Sequence, residues 1–253
     1  MAKPKIVVVD YHKGNLSSVV RGLARVGADA VASDDPAAIR SADGLVIPGV
    51  GAFYDAIAFM HESGQDAAIA DDVAADKPLL GICLGLQLLY DRGDEGVPGD
   101  AELVATASPY GKGLAPASVF EDSGKRWVRG LGLLHGSASR LESSRLKVPH
   151  VGWDQVHLTE TGAHDMLLAG FAEGANMYFT HSFAVDDDAC GEDVLARTHY
   201  VRSFPCVARR GNVCGCQFHP EKSSGQGMQI LKNFVCIVEG SALAHAAGKG
   251  GLA

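Results

Sequence analysis

Residues 5–10, KIVVVD, form an apolar run with no polar alternation, and the next apolar residues, Leu16, Val19, Val20, Leu23 and Val26, recur at helical spacing. A strand that shows no polar face has both faces covered, whereas a half-exposed strand alternates. The signal repeats: ADAVA (28–32), DGLVIPG (43–49) and KPLLGIC (77–83) read as strands, and a helix begins at Leu84 and runs to Tyr90. Asn15 precedes the first helix as its N-cap. Strand, helix, strand, helix in this order gives parallel βα units. The chain is therefore predicted to be an α/β protein with an open, largely parallel central sheet flanked by helices. Active sites of such sheets lie at the carboxyl ends of the strands, where Pro48-Gly49-Val50-Gly51 and Cys83 fall.

The second half adds antiparallel strands. WDQVHL (153–158), NMYFTHSFAV (176–185), LARTHYV (195–201), PCVARR (205–210) and VCGCQF (213–218) are short and separated by turn residues. Arg210-Gly211-Asn212 is a hairpin signal. A last helix is predicted over 226–238. Residues 240–253 read as a frayed tail, and residues 96–129, which lack periodicity, as a surface insertion in a single domain of residues 1–253.

A chain of 253 residues, 47% of them hydrophobic, can bury one sizeable core. A formal net charge of -8 without a dense basic run argues against a nucleic-acid partner. No apolar stretch is long enough to span a bilayer, and the first residues lack the apolar core of a signal peptide, so a cytoplasmic location is expected. Six cysteines without a C-x-x-C argue against a disulfide framework and a zinc site. Cys190, Cys206, Cys214, Cys216 and Cys236 read as small core residues.

Cys83 differs because of its setting, GICLGLQLL (81–89). A packing cysteine needs no flanking glycines. Glycines before and after it permit a sharp strand-to-helix turn that presents the sulfur as a nucleophile. Such a thiol needs a base, and the base an orienter. GCQFHPEKS (215–223) supplies His219 and, beyond Pro220, Glu221. A lone cysteine after a strand is more often core, and a lone His-Pro-Glu more often a turn; the combination favours catalysis. The oxyanion of a tetrahedral intermediate needs backbone N–H donors: Leu84 follows the nucleophile, and Gly49-Val50 can supply the second. Gln87, one helical turn beyond the elbow, faces the same pocket.

These stretches, together with VVVDY…GNL (7–16), IPGVGAF (47–53), GLGLL (130–134), KVPHVGWDQV (147–156) and YFTHSF (178–183), resemble the class I (triad-type) glutamine amidotransferases. Within them the chain is most similar to the glutaminase subunits of imidazole glycerol phosphate synthases. The resemblance implies that Cys83 attacks the side-chain amide of glutamine, with His219 as base and then acid and Glu221 as orienter. It implies that Gly51, Gln87 and the backbone of Ser182 and Phe183 bind glutamine. Ammonia would pass to a cyclase partner built as a (β/α)8 barrel, in a heterodimer of histidine biosynthesis. Asn15, His150, Trp153, Tyr178, His181 and Lys222 match positions at or near that interface. No cofactor and no metal are implied.

Three residues depart from the family pattern: His12 in a usually flexible loop, His135 in place of a common proline, and Asp154 in place of the usual asparagine. They bear on docking and leave the triad intact. Glutaminase subunits for anthranilate or the pyridoxal phosphate pathway are rival readings, opposed by KVPHVGWDQV and Lys222. A regulatory module without activity is opposed by the complete set Cys83, His219 and Glu221.

Overall fold

The structure, a computed structural model, describes residues 3–14 and 16–250, with the backbone alone for 243–250. Asn15, expected as an N-cap and interface residue, lies outside the described residues. The chain runs β1 (Lys5–Val9), α1 (Leu16–Arg25), β2 (Asp29–Ser33), α2 (Pro36–Arg40), β3 (Gly44–Ile47), α3 (Phe53–Ser63), α4 (Gln65–Ala74), β4 (Leu79–Ile82) and α5 (Leu84–Leu88). There follow β5 (Tyr90–Gly93), β6 (Val119–Asp122), β7 (Lys125–Arg129), β8 (Leu134–Arg140), β9 (His150–Leu158), α6 (Glu160–Ala163), β10 (Ala175–His181) and β11 (Phe183–Val185). The last elements are β12 (Val194–His199), β13 (Ser203–Arg210), β14 (Val213–Cys216) and α7 (Ser224–Gly250).

Among the described residues, one sheet has the order β10-β9-β12-β13-β14-β4-β3-β1-β2 and a second β11-β8-β5-β7-β6. Strands β14, β4, β3, β1 and β2 pair in parallel, and from β13 outward the pairing is antiparallel. This is the predicted α/β arrangement. The unbroken apolar runs have their expected cause. Ile6 and Val8 of β1 join the cluster that holds Val19 and Leu23 of α1 and Ile230 and Phe234 of α7. Val7 and Val9 join the opposite cluster, with Ile39 of α2, Ile57 of α3 and Ile69 of α4. Side chains alternate between two covered faces, so none of the apolar residues Ile6 to Val9 is left for water.

The structure corrects the reading at four places. Residues 119–129, expected within a surface insertion without periodicity, form the β6–β7 hairpin with Phe120, Trp127 and Val128 buried. Their turn, Ser123-Gly124, has φ of 54° and 74°, the positive pair that a two-residue hairpin turn demands. The helix expected from Leu84 to Tyr90 ends at Leu88, and Tyr90 opens β5 of the second sheet. The run 176–185 is divided between the sheets, β10 pairing with β9 and β11 with β8. The expected frayed tail continues α7 as helix through Gly250, and residues 251–253 lie outside the described residues. No described helix is long and apolar enough to cross a membrane.

Candidate active site

β4 hands its chain to α5 at Cys83, whose backbone stands at φ 55° and ψ −109°. A non-glycine residue in that region costs on the order of 1–3 kcal/mol and persists only where its surroundings fix it. Here the surroundings are the two glycines. A Cβ on Gly81 would come within 2.6 Å of the Gly85 carbonyl, and one on Gly85 would collide with the Ile47 carbonyl oxygen. Gly49 is pressed as closely from above, where a Cβ would meet the Gly85 nitrogen at 2.6 Å. The loop after β3 therefore lies directly on the first turn of α5. Cys83 N–H donates to the Cys216 carbonyl at 2.8 Å, which ties the elbow to β14.

β14 then delivers the base. His219 donates from Nδ1 to Glu221 Oε1 at 2.9 Å, across the tight turn Pro220–Lys222 that the proline initiates. Both side chains are buried. With Nδ1 bound to the carboxylate, Nε2 is the reactive nitrogen, and it is a buried atom without a directed hydrogen bond. Burial pulls the His219 pKa down, but the Cys83 sulfur and the Glu221 carboxylate outweigh it and raise the value to about 9. The imidazole therefore holds a proton at neutral pH, ready for a leaving group. His219 N–H donates in turn to the Tyr178 carbonyl at 3.0 Å, so the base is also tied to β10.

The sulfur borders a cavity of ≈ 200 Å³ that Gly51, Gln87, Glu95, Ser182 and Phe183 help to line. Val50 and Leu84, the expected oxyanion donors, line it too. Gln87 Nε2 donates to the Phe183 carbonyl at 2.8 Å and to Gln217 Oε1 at 3.0 Å, fixing the strand that forms the far wall. Val50, Gly51, Cys83, Leu84, Gln87, Ser182 and Phe183 thus share one cavity, and Gly49 packs on Leu84 and Gly85 beside it.

Two residues escaped the sequence reading. Gln217, fully buried, donates from Nε2 to the Cys83 sulfur at 3.5 Å. Glu95 presents a carboxyl to the cavity, and burial, with Asp94 and Asp55 nearby, raises its pKa to about 7 despite a bond from the Phe53 N–H. Its position twelve residues beyond a glycine elbow was the available signal.

Of the expected interface residues, Trp153 is 52% exposed, Lys222 is exposed and Tyr178 is half-buried with its ring edge toward Trp153. His150 and His181 are corrected: both are buried, so neither offers its surface to a partner. Of the departing residues, His12 contacts Asp34 at 3.3 Å and His135 contacts Asp91 at 2.7 Å. Asp154 contacts His150 at 3.1 Å.

The sequence signature of the family Glutamine amidotransferase class-I matches residues 7–238. The chain is 41% identical over 238 residues to the imidazole glycerol phosphate synthase subunit HisH of Halalkalibacterium halodurans, covering 92% of this chain and 95% of that one. It is 41% identical over 230 residues to the protein of the same name from Symbiobacterium thermophilum, covering 91% and 92%. Among solved structures, one of a glutamine amidotransferase superposes with a TM-score of 0.63 at 17% identity, covering 92% of this chain and 98% of that one, a likeness of fold.

Proposed function

Since this chain belongs to the class-I glutamine amidotransferase family, we propose that it is the glutaminase subunit of an imidazole glycerol phosphate synthase, hydrolysing glutamine and delivering ammonia to a cyclase subunit in histidine biosynthesis. The observation that carries the chemistry is the strained Cys83 at the end of β4 beside the buried His219–Glu221 pair. Relatives near 40% identity along most of the chain carry the choice of synthase.

Glutamine enters the cavity with its side-chain amide at Cys83. Gly51, Gln87 and the backbone of Ser182 and Phe183 hold its other end, and the Glu95 carboxylate faces its ammonium group. With its proton passed to His219 Nε2, the Cys83 sulfur bonds to the amide carbon, and the oxyanion is held by the N–H groups of Leu84 and Val50. His219 gives its Nε2 proton to the departing nitrogen, the C–N bond breaks, and ammonia leaves a thioester on Cys83. Water then attacks the thioester; His219 takes its proton, and glutamate and the free thiol are regenerated.

The cyclase is a (β/α)8 barrel forming a heterodimer with this chain in the cytoplasm, docked over the face that exposes Trp153, Tyr178 and Lys222. Co-purification with the cyclase followed by a glutaminase assay tests the assignment. Stimulation by the synthase partner of anthranilate or pyridoxal phosphate formation instead of this one would replace it.

A further inference from the structure

Two buried histidines on neighbouring strands make two hydrogen bonds and a close contact with a carboxylate, and have too few protons for all three. The register of β9 against β10 places His150 opposite His181. His181 Nδ1 lies 2.8 Å from the Phe183 carbonyl oxygen, His181 Nε2 lies 3.2 Å from His150 Nδ1, and His150 Nε2 lies 3.1 Å from Asp154 Oδ2. Both ends of this line, a carbonyl and a carboxylate, only accept. Each contact needs one ring N–H, and two neutral imidazoles supply two. The line is complete when one ring is an imidazolium.

The surroundings say which ring. Burial presses the His181 pKa down to about 3, with a bond to the Phe183 carbonyl opposing and the charges of His150, His219 and Arg202 adding to the fall. His181 is therefore the neutral ring, with its proton on Nδ1. Burial also lowers the pKa of His150 and outweighs the opposing Asp154 carboxylate, so His150 takes up its second proton below the ordinary histidine range, while of the two rings it alone has a carboxylate partner. The His150 ring is stacked between Phe179, at 4.9 Å and 16°, and Tyr200, at 4.0 Å and 9°. Aromatic faces on both sides favour a cation. Arg202, the remaining nearby cation, is committed to Asp186 at 2.6 Å.

We propose that Asp154 and His150 are positioning residues for glutamine: one proton taken up by His150 completes a line from Asp154 to the Phe183 carbonyl and fixes the 182–183 backbone in its substrate-binding position. This rests on the proposed role of Ser182 and Phe183 in holding glutamine. An asparagine at 154 would complete the same line without the extra proton. Its amide donates to His150 Nε2, leaving His150 Nδ1–H for His181. Aspartate makes the line conditional on acidity.

Ring ¹⁵N spectra of the free chain and of Asp154→Asn, from about pH 4.5 to 8.5, a window extended to acid because burial lowers the His150 pKa, test the proton directly. His150 should gain a second N–H toward acid in the native chain and keep a single one in Asp154→Asn. The same behaviour in both chains overturns the proposal. In the liganded complex, the ratio of KM for glutamine in the native chain to that in Asp154→Asn should be near one at the acid end. It should rise to about fivefold at the alkaline end, the worth of roughly one hydrogen bond. Glu95 titrates equally in both chains, so the ratio isolates residue 154, and a ratio flat with pH overturns the proposal as well. Absence of glutamate release from either complex would count against the glutaminase assignment, while the spectra still decide the proton.

Discussion

Gln217 donates its side-chain amide to the sulfur of Cys83 across 3.5 Å, and Gln87 holds it there through a 3.0 Å bond to its oxygen. A donor aimed at a sulfur that develops charge stabilises the attacking form. Hydrogen bonds to charged groups are worth about 1.5–3 kcal/mol, so Gln217→Leu should lose about 10–100-fold in glutamine turnover with the partner present. Unchanged turnover would show that the sulfur does not use this donor.

The elbow depends on backbone contact at Gly85, where no methyl group fits against the Ile47 carbonyl. Because the obstacle is main chain on a central strand, Gly85→Ala should cost about 3 kcal/mol or more, on the order of 6–12 °C in the unfolding midpoint. Gly99→Ala, which meets nothing within 4 Å, is the control and should not move it. Equal midpoints for the two variants contradict the packing account.

His219 links pH to stability. Burial opposes its protonation, but Cys83 and Glu221 raise its folded pKa to about 9, above the roughly 6.5 of an unfolded histidine. The pair's contribution to stability is therefore full below about pH 6.5 and is lost as pH rises through about 9. Between those limits the native chain should lose stability that His219→Asn does not. Parallel curves for the two chains would rule this out.

The triad was legible because each member sits in a short pattern with a local cause: glycines around Cys83, and a proline between His219 and Glu221. Gln217 was not, since a glutamine between a cysteine and a phenylalanine reads as an ordinary strand residue; only the register of β14 against β4 brings it under the sulfur. His150 and His181 were placed at or near the partner face by resemblance, and the β9–β10 pairing turns them inward, behind that surface, and leaves Trp153 outside. The parallel strands announced themselves by burial on both faces. The β6–β7 hairpin did not, because its strands are four and five residues long and partly exposed. Its Ser-Gly turn was the missed signal.

The hairpin divides the unmatched segment into two parts with different fates. Residues 119–129 bury Phe120 and Trp127, so deleting them should prevent folding. Residues 99–116 contain no helix or strand, and replacing them with a short Gly-Ser link should leave a folded chain that still releases glutamate with its partner. A shortened chain that folds but is inactive would show that this stretch shapes the site.

Control is the next expectation. Gly14, at φ 104°, lies against Val50, with a Cβ there meeting the Val50 side chain at 3.2 Å. Contacts on the β1–α1 loop can thus bias the Gly49-Val50 peptide, and one lost oxyanion donor costs about 10²–10³ in turnover. Glutamate release should be slow for the chain alone and should rise by a similar order with the cyclase and its nucleotide bound. Equal rates alone, with empty cyclase and with liganded cyclase would exclude the switch.

The most direct test of the account uses the complex carrying Cys83→Ala and two nitrogen sources. With glutamine, neither glutamate nor the cyclase product should form; with ammonium salts, the cyclase should still turn over, since only the sulfur is missing. Glutamate release by Cys83→Ala at the native rate would contradict the assignment of Cys83 as the nucleophile.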